Sequence, residues 1–231
     1  MSDPPLGAPS NAENLAGWRR VAAEYAGPQE GEDDPLMREL VRGAFVARLP
    51  ETEGAARVLE VGCGPGTDAA RLAQRGLVVT ATDYAPEFIE IVRKRHPELE
   101  ARVMDMTRPD LPPESFEGIY GFATFVHLPR DQAQPALRAL RELLVPGGAI
   151  CLSLIGSSKG LRDYRIENWA GDPECSMGFT CYEQEEAQAL FAASGYDAIE
   201  VIRNPPSLYD TLPRLVERGV HGFLVFARRP T

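Results

Sequence analysis

Several things are scarce in this chain of 231 residues. No apolar run approaches the roughly 18 residues that a membrane-spanning helix needs. The opening stretch, MSDPPLGAPSNAEN, carries neither the basic nor the apolar region of a secretory leader. Basic charge is in deficit, with 24 Lys and Arg against 34 Asp and Glu and a net charge of −10. Such a field repels polyanions, so a nucleic-acid partner is disfavoured. The two basic clusters, Arg93-Lys94-Arg95 and Arg228-Arg229, read as a solvated helix face and a chain end. The three histidines (His96, His127, His221) lie far apart, and the four cysteines (Cys63, Cys151, Cys175, Cys181) form no C-x-x-C pair. A metal site therefore has no support, and a reduced cytoplasmic protein is expected, its cysteines buried or incidental.

What is present is a regular rhythm. Residues 1–14 are rich in Pro, Ser, Asn and Asp and are expected to be disordered. Helices are predicted over 15–27 and 36–48, the second with Leu36, Leu40, Val41 and Phe45 on one face. These helices occupy a segment of 15–50 that precedes the main domain, 51–231, and residues 14–30 are expected to act as a lid. From residue 57, strands (57–61, 78–82, 100–104, 116–122, 149–155) alternate with helices (67–75, 86–96, 131–144). Pro86 suits a helix start, and Pro146-Gly147-Gly148 is expected to stop the fourth-strand helix. This alternation implies an α/β architecture with right-handed crossovers and a parallel sheet. After residue 155 the rhythm fades. Residues 156–181 are polar and aromatic without clear period. A helix at 182–194 ends at Gly195, strands follow at 197–203 and 221–228, and a short helix is expected between them.

The most informative stretch is VLEVGCGPGTDAARLAQRG, 58–76. A dinucleotide turn reads G-x-G-x-x-G and seats a pyrophosphate on a helix N-terminus. Here Gly62, Gly64 and Gly66 are spaced one residue shorter, Pro65 has no N–H to offer, and Glu60 adds an anion. These features favour a nucleoside cofactor without phosphate, whose reactive part carries positive charge. Asp83, 19 positions after Gly64, stands where a carboxylate can accept from both hydroxyls of a ribose. Its alternative is a helix N-cap. Asp105, between Met104 and Met106, can accept from an adenine amine, or can cap a loop.

Taken together, VLEVGCGPGT, TATDYAPEFIEIVRKR, MDMTRPDLPPESFEGIYGFATFVHLP and LRELLVPGGAICLSL resemble the successive motifs of class I S-adenosylmethionine-dependent methyltransferases. The likeness is close over 55–155, the expected cofactor-binding core, and looser to residue 228. It implies a Rossmann-like, doubly wound, seven-stranded sheet, mostly parallel with an antiparallel last strand, here with an N-terminal helical cap. The cofactor implied is S-adenosyl-L-methionine. Carried over by motif, Glu60, Gly62, Cys63, Gly64 and Gly66 form the loop around its methionine portion. Asp83 with Tyr84, and Asp105 with Met106, meet ribose and adenine, and Phe122 to Phe125 line the space near the sulfonium. The His-Leu-Pro at 127–129 and the Phe179-Thr180-Cys181-Tyr182-Glu183-Gln184-Glu185-Glu186 segment resemble one subgroup of the family.

Methyl transfer from a sulfonium is an in-line displacement, so a protein mainly positions the nucleophile and removes its proton. His127, after the fourth strand, is the candidate base, or else a structural turn residue. Candidates for acceptor contact are Trp18, Tyr25, His127, Tyr164, Trp169 and Tyr209, aromatics outside the common core. The expected activity is transfer to an O or N atom of a small organic acceptor by a monomer or homodimer. A protein or RNA methyltransferase, a non-catalytic cofactor-binding protein and a nicotinamide oxidoreductase remain open. The last lacks a helical Tyr-x-x-x-Lys pair.

Overall fold

The computed structural model describes residues 10–27, 35–203 and 217–231. Its elements in chain order are α1 (Asn11–Ala26), α2 (Pro35–Val46), β1 (Arg57–Val61), α3 (Thr67–Ala73), β2 (Val78–Asp83), α4 (Pro86–Arg95), β3 (Glu100–Val103) and β4 (Phe116–Gly121). There follow α5 (Arg130–Leu143), β5 (Leu144–Ser157), β6 (Asp163–Glu167), β7 (Ser176–Thr180), α6 (Gln184–Ala193), β8 (Asp197–Arg203) and β9 (Val220–Arg228). Seven strands form one sheet in the order β3-β2-β1-β4-β5-β9-β8. β1 to β5 pair in parallel, whereas β9 runs antiparallel to both of its neighbours. The expected seven-stranded, mostly parallel sheet with a reversed last strand is what forms.

Both faces of the sheet are buried along its central strands, as crossover helices require, whereas the edge strands β3 and β8 are largely exposed. Along β1 the pleat sends Leu59 and Val61 to one side and Val58 to the other. Leu59 and Val61 join Leu137, Leu140 and Phe191 of α5 and α6. Val58 joins Phe45, Leu72 and Ile89 of α2, α3 and α4. A third cluster, around Trp18, Val21, Met177 and Phe179, packs α1 onto β7. No helix among the described residues is long and apolar enough to cross a membrane.

Four local expectations are corrected. Residues 11–14, expected to be disordered, are helical, because Ser10 caps α1 by accepting from the Glu13 N–H. Leu40, expected on the buried face of α2, is 60% exposed, while Val41 and Phe45 are buried. The aperiodic stretch 156–181 contains the antiparallel hairpin β6–β7. β5, expected over 149–155, begins at Leu144 and takes in Pro146-Gly147-Gly148, while α5 ends at Leu143, close to the expected boundary. Pro146 bars helical geometry at the residue before it, and the pairing with β4 shifts register at that point. The expected helix between β8 and β9 falls largely outside the described residues.

Candidate functional site

A cavity of about 440 Å³ opens beyond the carboxyl ends of β1, β2 and β4, where ligands of open α/β sheets bind. The turn after β1 forms its floor. Gly62 and Gly64 take left-handed backbone, with φ of 63° and 52°. A Cβ on Gly62 would collide with the Thr124 side chain, so the first glycine lets this turn approach the segment after β4. The Gly64 N–H donates to Asp83 Oδ2 at 3.0 Å, which ties the turn to the end of β2. Gly66 does not line the cavity. Its φ is 86° and a Cβ there would press on Val92 of α4, so its role is close packing under the turn.

Three carboxylates reach the cavity from successive strand ends. Glu60 is 3% exposed and its Oε2 is buried with no hydrogen-bond partner in the structure. Burial pushes its pKa well above the usual carboxylate range, Asp68 adds to the rise, and Arg38 and the Ala69 backbone N–H oppose it. Asp83 accepts from Gly64 and, at Oδ1, from the Ala85 N–H at 2.9 Å. Burial raises it to about 6 against those hydrogen bonds. It is not the cap of α4, whose N-cap is Ala85 without a side-chain bond. Asp105 is half-buried, lines the cavity and accepts the Thr107 N–H at Oδ1, 2.8 Å. Cys63, Tyr84, Met106 and Phe122 also line the cavity, and burial pushes both the Cys63 thiol and the Tyr84 phenol upward. Phe125, expected beside Phe122, is fully buried in the core under α5.

Other lining residues were not foreseen. Arg38 of α2 enters the cavity, donates to Asp68 Oδ2 at 2.7 Å and lies 3.9 Å above the Phe122 ring centroid. Asp68 accepts Arg42 on its other oxygen at 2.5 Å, and Arg42 is 1% exposed. The signal was available: two arginines at i and i+4 on a helix share one face.

The other end of the cavity is aromatic. Trp18 and Tyr25 of α1 meet edge to face, with centroids 4.9 Å apart, and Phe88 lies 5.8 Å from Trp18. His127 is 8% exposed, 5.2 Å from Trp18 and 4.6 Å from Phe179. Its Nδ1 lies 3.0 Å from the Gly178 carbonyl oxygen, which can only accept, so Nδ1 carries the proton and Nε2 the lone pair. Burial lowers its pKa to about 4, so the ring is neutral at physiological pH.

Tyr164 and Trp169 stand behind this wall. Tyr164 is stacked on Phe179 (4.9 Å, 3°), and Trp169 packs against Trp18 and Phe179, with Ala170 beside it reaching the cavity. Core packing accounts for both. Tyr209 lies outside the described residues.

The donor set matches one ligand closely. An α-amino acid offers an ammonium to the unpartnered Glu60 oxygen and a carboxylate to Arg38, a ribose offers its diol to Asp83, and an adenine its amine to Asp105. S-adenosyl-L-methionine carries all four groups.

The strand order defines a doubly wound α/β protein of the Rossmann-like class, with its cavity at the strand ends. Residues 58–148 match the family model for a methyltransferase domain. The ubiquinone biosynthesis O-methyltransferase of Xanthomonas axonopodis pv. citri (strain 306) is 36% identical over 134 residues, 54% of each chain. The chain thus spans about half the length of the curated relatives it matches. The Burkholderia thailandensis 1,6-didemethyltoxoflavin-N1-methyltransferase, solved with 1,6-didemethyltoxoflavin and S-adenosylhomocysteine, superposes with a TM-score of 0.69 at 21% identity, covering 100% of this chain and 94% of that one. The [4+2]-cyclase SpnF superposes with a TM-score of 0.74 at 15% identity over the whole of both chains. At these identities the two structures share the fold.

Proposed function

We propose that the protein is an S-adenosylmethionine-dependent methyltransferase acting on an oxygen or nitrogen of a small organic acceptor, with oxygen favoured by the O-methyltransferase relative. The observation that carries this reading is one cavity lined both by Glu60, Asp83 and Asp105 and by a neutral imidazole with the rings of Trp18, Tyr25 and Phe88. When bound, S-adenosyl-L-methionine supplies an already activated methyl group. The chain's own tasks are therefore binding, orientation and handling of one proton.

Glu60 and Arg38 hold the amino-acid end, Asp83 the ribose with Tyr84 beside it, Asp105 and Met106 the adenine edge, and Phe122 covers the sulfonium. Trp18, Tyr25 and Phe88 flank a planar acceptor and keep water away. His127 accepts a hydrogen bond from the acceptor's O–H or N–H at Nε2, and takes its proton as the new bond to carbon forms. The net charge of −10 opposes an RNA acceptor.

The test is thermal stabilisation followed by turnover. S-adenosylhomocysteine should raise the melting temperature and NAD should not, because a ligand stabilises the state it binds. Screening phenols, amines, carboxylic acids and thiols for S-adenosylhomocysteine release should then yield an oxygen acceptor. Stabilisation by NAD alone would overturn the cofactor assignment. Binding without release across all four classes would make the protein a non-catalytic binder, or a host of other chemistry on this fold.

A further inference from the structure

Asn14 lies one turn into α1 and is fully buried. A buried carboxamide must satisfy both its donors and its acceptor. Asn14 does so with two backbone segments. Its Oδ1 accepts the Gly178 N–H at 2.9 Å, and its Nδ2 donates to the Gly178 carbonyl at 3.2 Å and to the His127 carbonyl at 2.8 Å. Gly178 sits opposite Arg165 in the β6–β7 hairpin, and the Asn14 side chain pairs with its N–H and C=O much as a third strand would. The same Gly178 carbonyl receives the His127 Nδ1–H at 3.0 Å. One backbone oxygen thus carries the amide of the N-terminal helix and the imidazole of the aromatic end. Thr180 completes the arrangement from the same strand by donating to the Leu128 carbonyl at 2.9 Å.

We propose that Asn14 is a positioning residue: through Gly178 it fixes the tautomer and ring orientation of His127, so that a bare Nε2 faces the acceptor only while α1 is docked. The proposal rests on the reading of His127 given above. Its physical content is simple. Without Asn14, the Gly178 N–H and the His127 carbonyl lose their partners in a buried place, and the hairpin edge must move to find others. The Gly178 oxygen then no longer sits where it selects Nδ1 as the protonated nitrogen. The imidazole is left to exchange between tautomers, and one of them would present an N–H to the acceptor where a lone pair is needed.

The ring nitrogens report this directly. The chain has three histidines, so ¹⁵N signals of His127 in the full-length protein can be assigned with a His127→Gln variant. In the wild type at about pH 7 the ring should be one neutral form with Nδ1 protonated. In Asn14→Ala, and in Asn14→Asp, which keeps the acceptor but loses both donors, the two nitrogen shifts should converge as the Nε2–H form becomes populated. S-adenosylhomocysteine affinity should stay within about twofold, because Asn14 touches none of the residues assigned to that ligand. An unchanged tautomer in either folded variant overturns the proposal. Loss of S-adenosylhomocysteine binding in both variants overturns it too, since Asn14 would then serve the fold as a whole. Failure of the His127 reading is separable: undiminished methyl transfer by His127→Gln removes the proton-accepting role, while the nitrogen shifts still decide what Asn14 does to the ring.

Discussion

Asp83 and His127 are buried titratable groups shifted in opposite senses, and the consequences differ for binding and for stability. Asp83 is raised to about 6, so acidification below that value neutralises the carboxylate proposed to accept from a ribose diol. Binding of S-adenosylhomocysteine should be flat above about pH 7 and weaken as pH falls through about 6. Isothermal titration at several pH values would check this. Asp83→Asn should lose about 10- to 100-fold in affinity, the scale of a charge-assisted hydrogen bond, and should remove that acid limb. For stability, a carboxyl raised from 3.8 to about 6 binds its proton more tightly in the folded state, so its contribution is present below 3.8 and lost as pH rises through about 6. His127, lowered from 6.5 to about 4, does the reverse: its contribution is complete above 6.5 and lost as pH falls toward 4. Between pH 6.5 and 4 the two oppose each other. Urea unfolding across that range should show His127→Gln losing less stability on acidification than the wild type, and Asp83→Asn losing more. Equal slopes for all three would remove both assignments.

Elements differ in how plainly the sequence announces them. The central strands β1, β2 and β5 are runs of apolar and β-branched residues, and burial on both faces leaves little else that such runs can become. Asp83 and Asp105 were legible as residues at the cavity because a strand end in this topology is a fixed address. The β6–β7 hairpin was not legible. Its five-residue strands pair only with each other, and the outer edge of β7 at Gly178 is satisfied by one side chain of α1, a partner 164 positions away. Periodicity carries no trace of such a pairing. The start of α1 was legible in principle, through Ser10, and was obscured by the polar composition around it. α2 illustrates a third case. Its apolar face predicts packing, yet Arg42 and Asp68, both nearly buried, fasten it to α3 beneath the glycine turn. Removing one partner of a buried pair strands the other charge. Arg42→Ala should therefore cost about 3 to 5 kcal/mol in chemical denaturation, whereas replacing Arg42 and Asp68 together with Met and Leu should cost far less. Losing Asp68 also removes the carboxylate that orients Arg38 at the cavity, so the double variant should bind S-adenosylhomocysteine more weakly while remaining folded.

At the scale of the molecule, the site is built from two parts joined with different strength. The sheet and its crossover helices supply the turn, the carboxylates and Phe122, all anchored in cores that are nearly fully buried. α1 supplies Trp18 and Tyr25 from across the opening. Besides the Trp18 cluster and Asn14, its attachments include a hydrogen bond from Asn11 Nδ2 to Gln132 Oε1 and ion pairs at the surface: Arg19 with Glu87, Arg20 with Asp172 and Glu174, and Glu13 with Arg165. Exposed pairs of this kind are worth about 0 to 1 kcal/mol each and weaken as salt rises. Arg95 adds a fastening of another type, donating to the Ala26 and Gly27 carbonyls at the end of α1. An element held this way is expected to open at a small cost relative to unfolding the sheet, which suits the proposed entry and release of an acceptor. Hydrogen exchange should therefore show α1 amides opening by local motion, well ahead of β1 and β4. That exchange should quicken between about 0.05 and 0.5 M salt, as the ion pairs are screened. Protection of α1 equal to that of β4 and indifferent to salt would mean that α1 is a fixed wall, and acceptors would then have to enter past Tyr25, which is 44% exposed at the edge of the cavity.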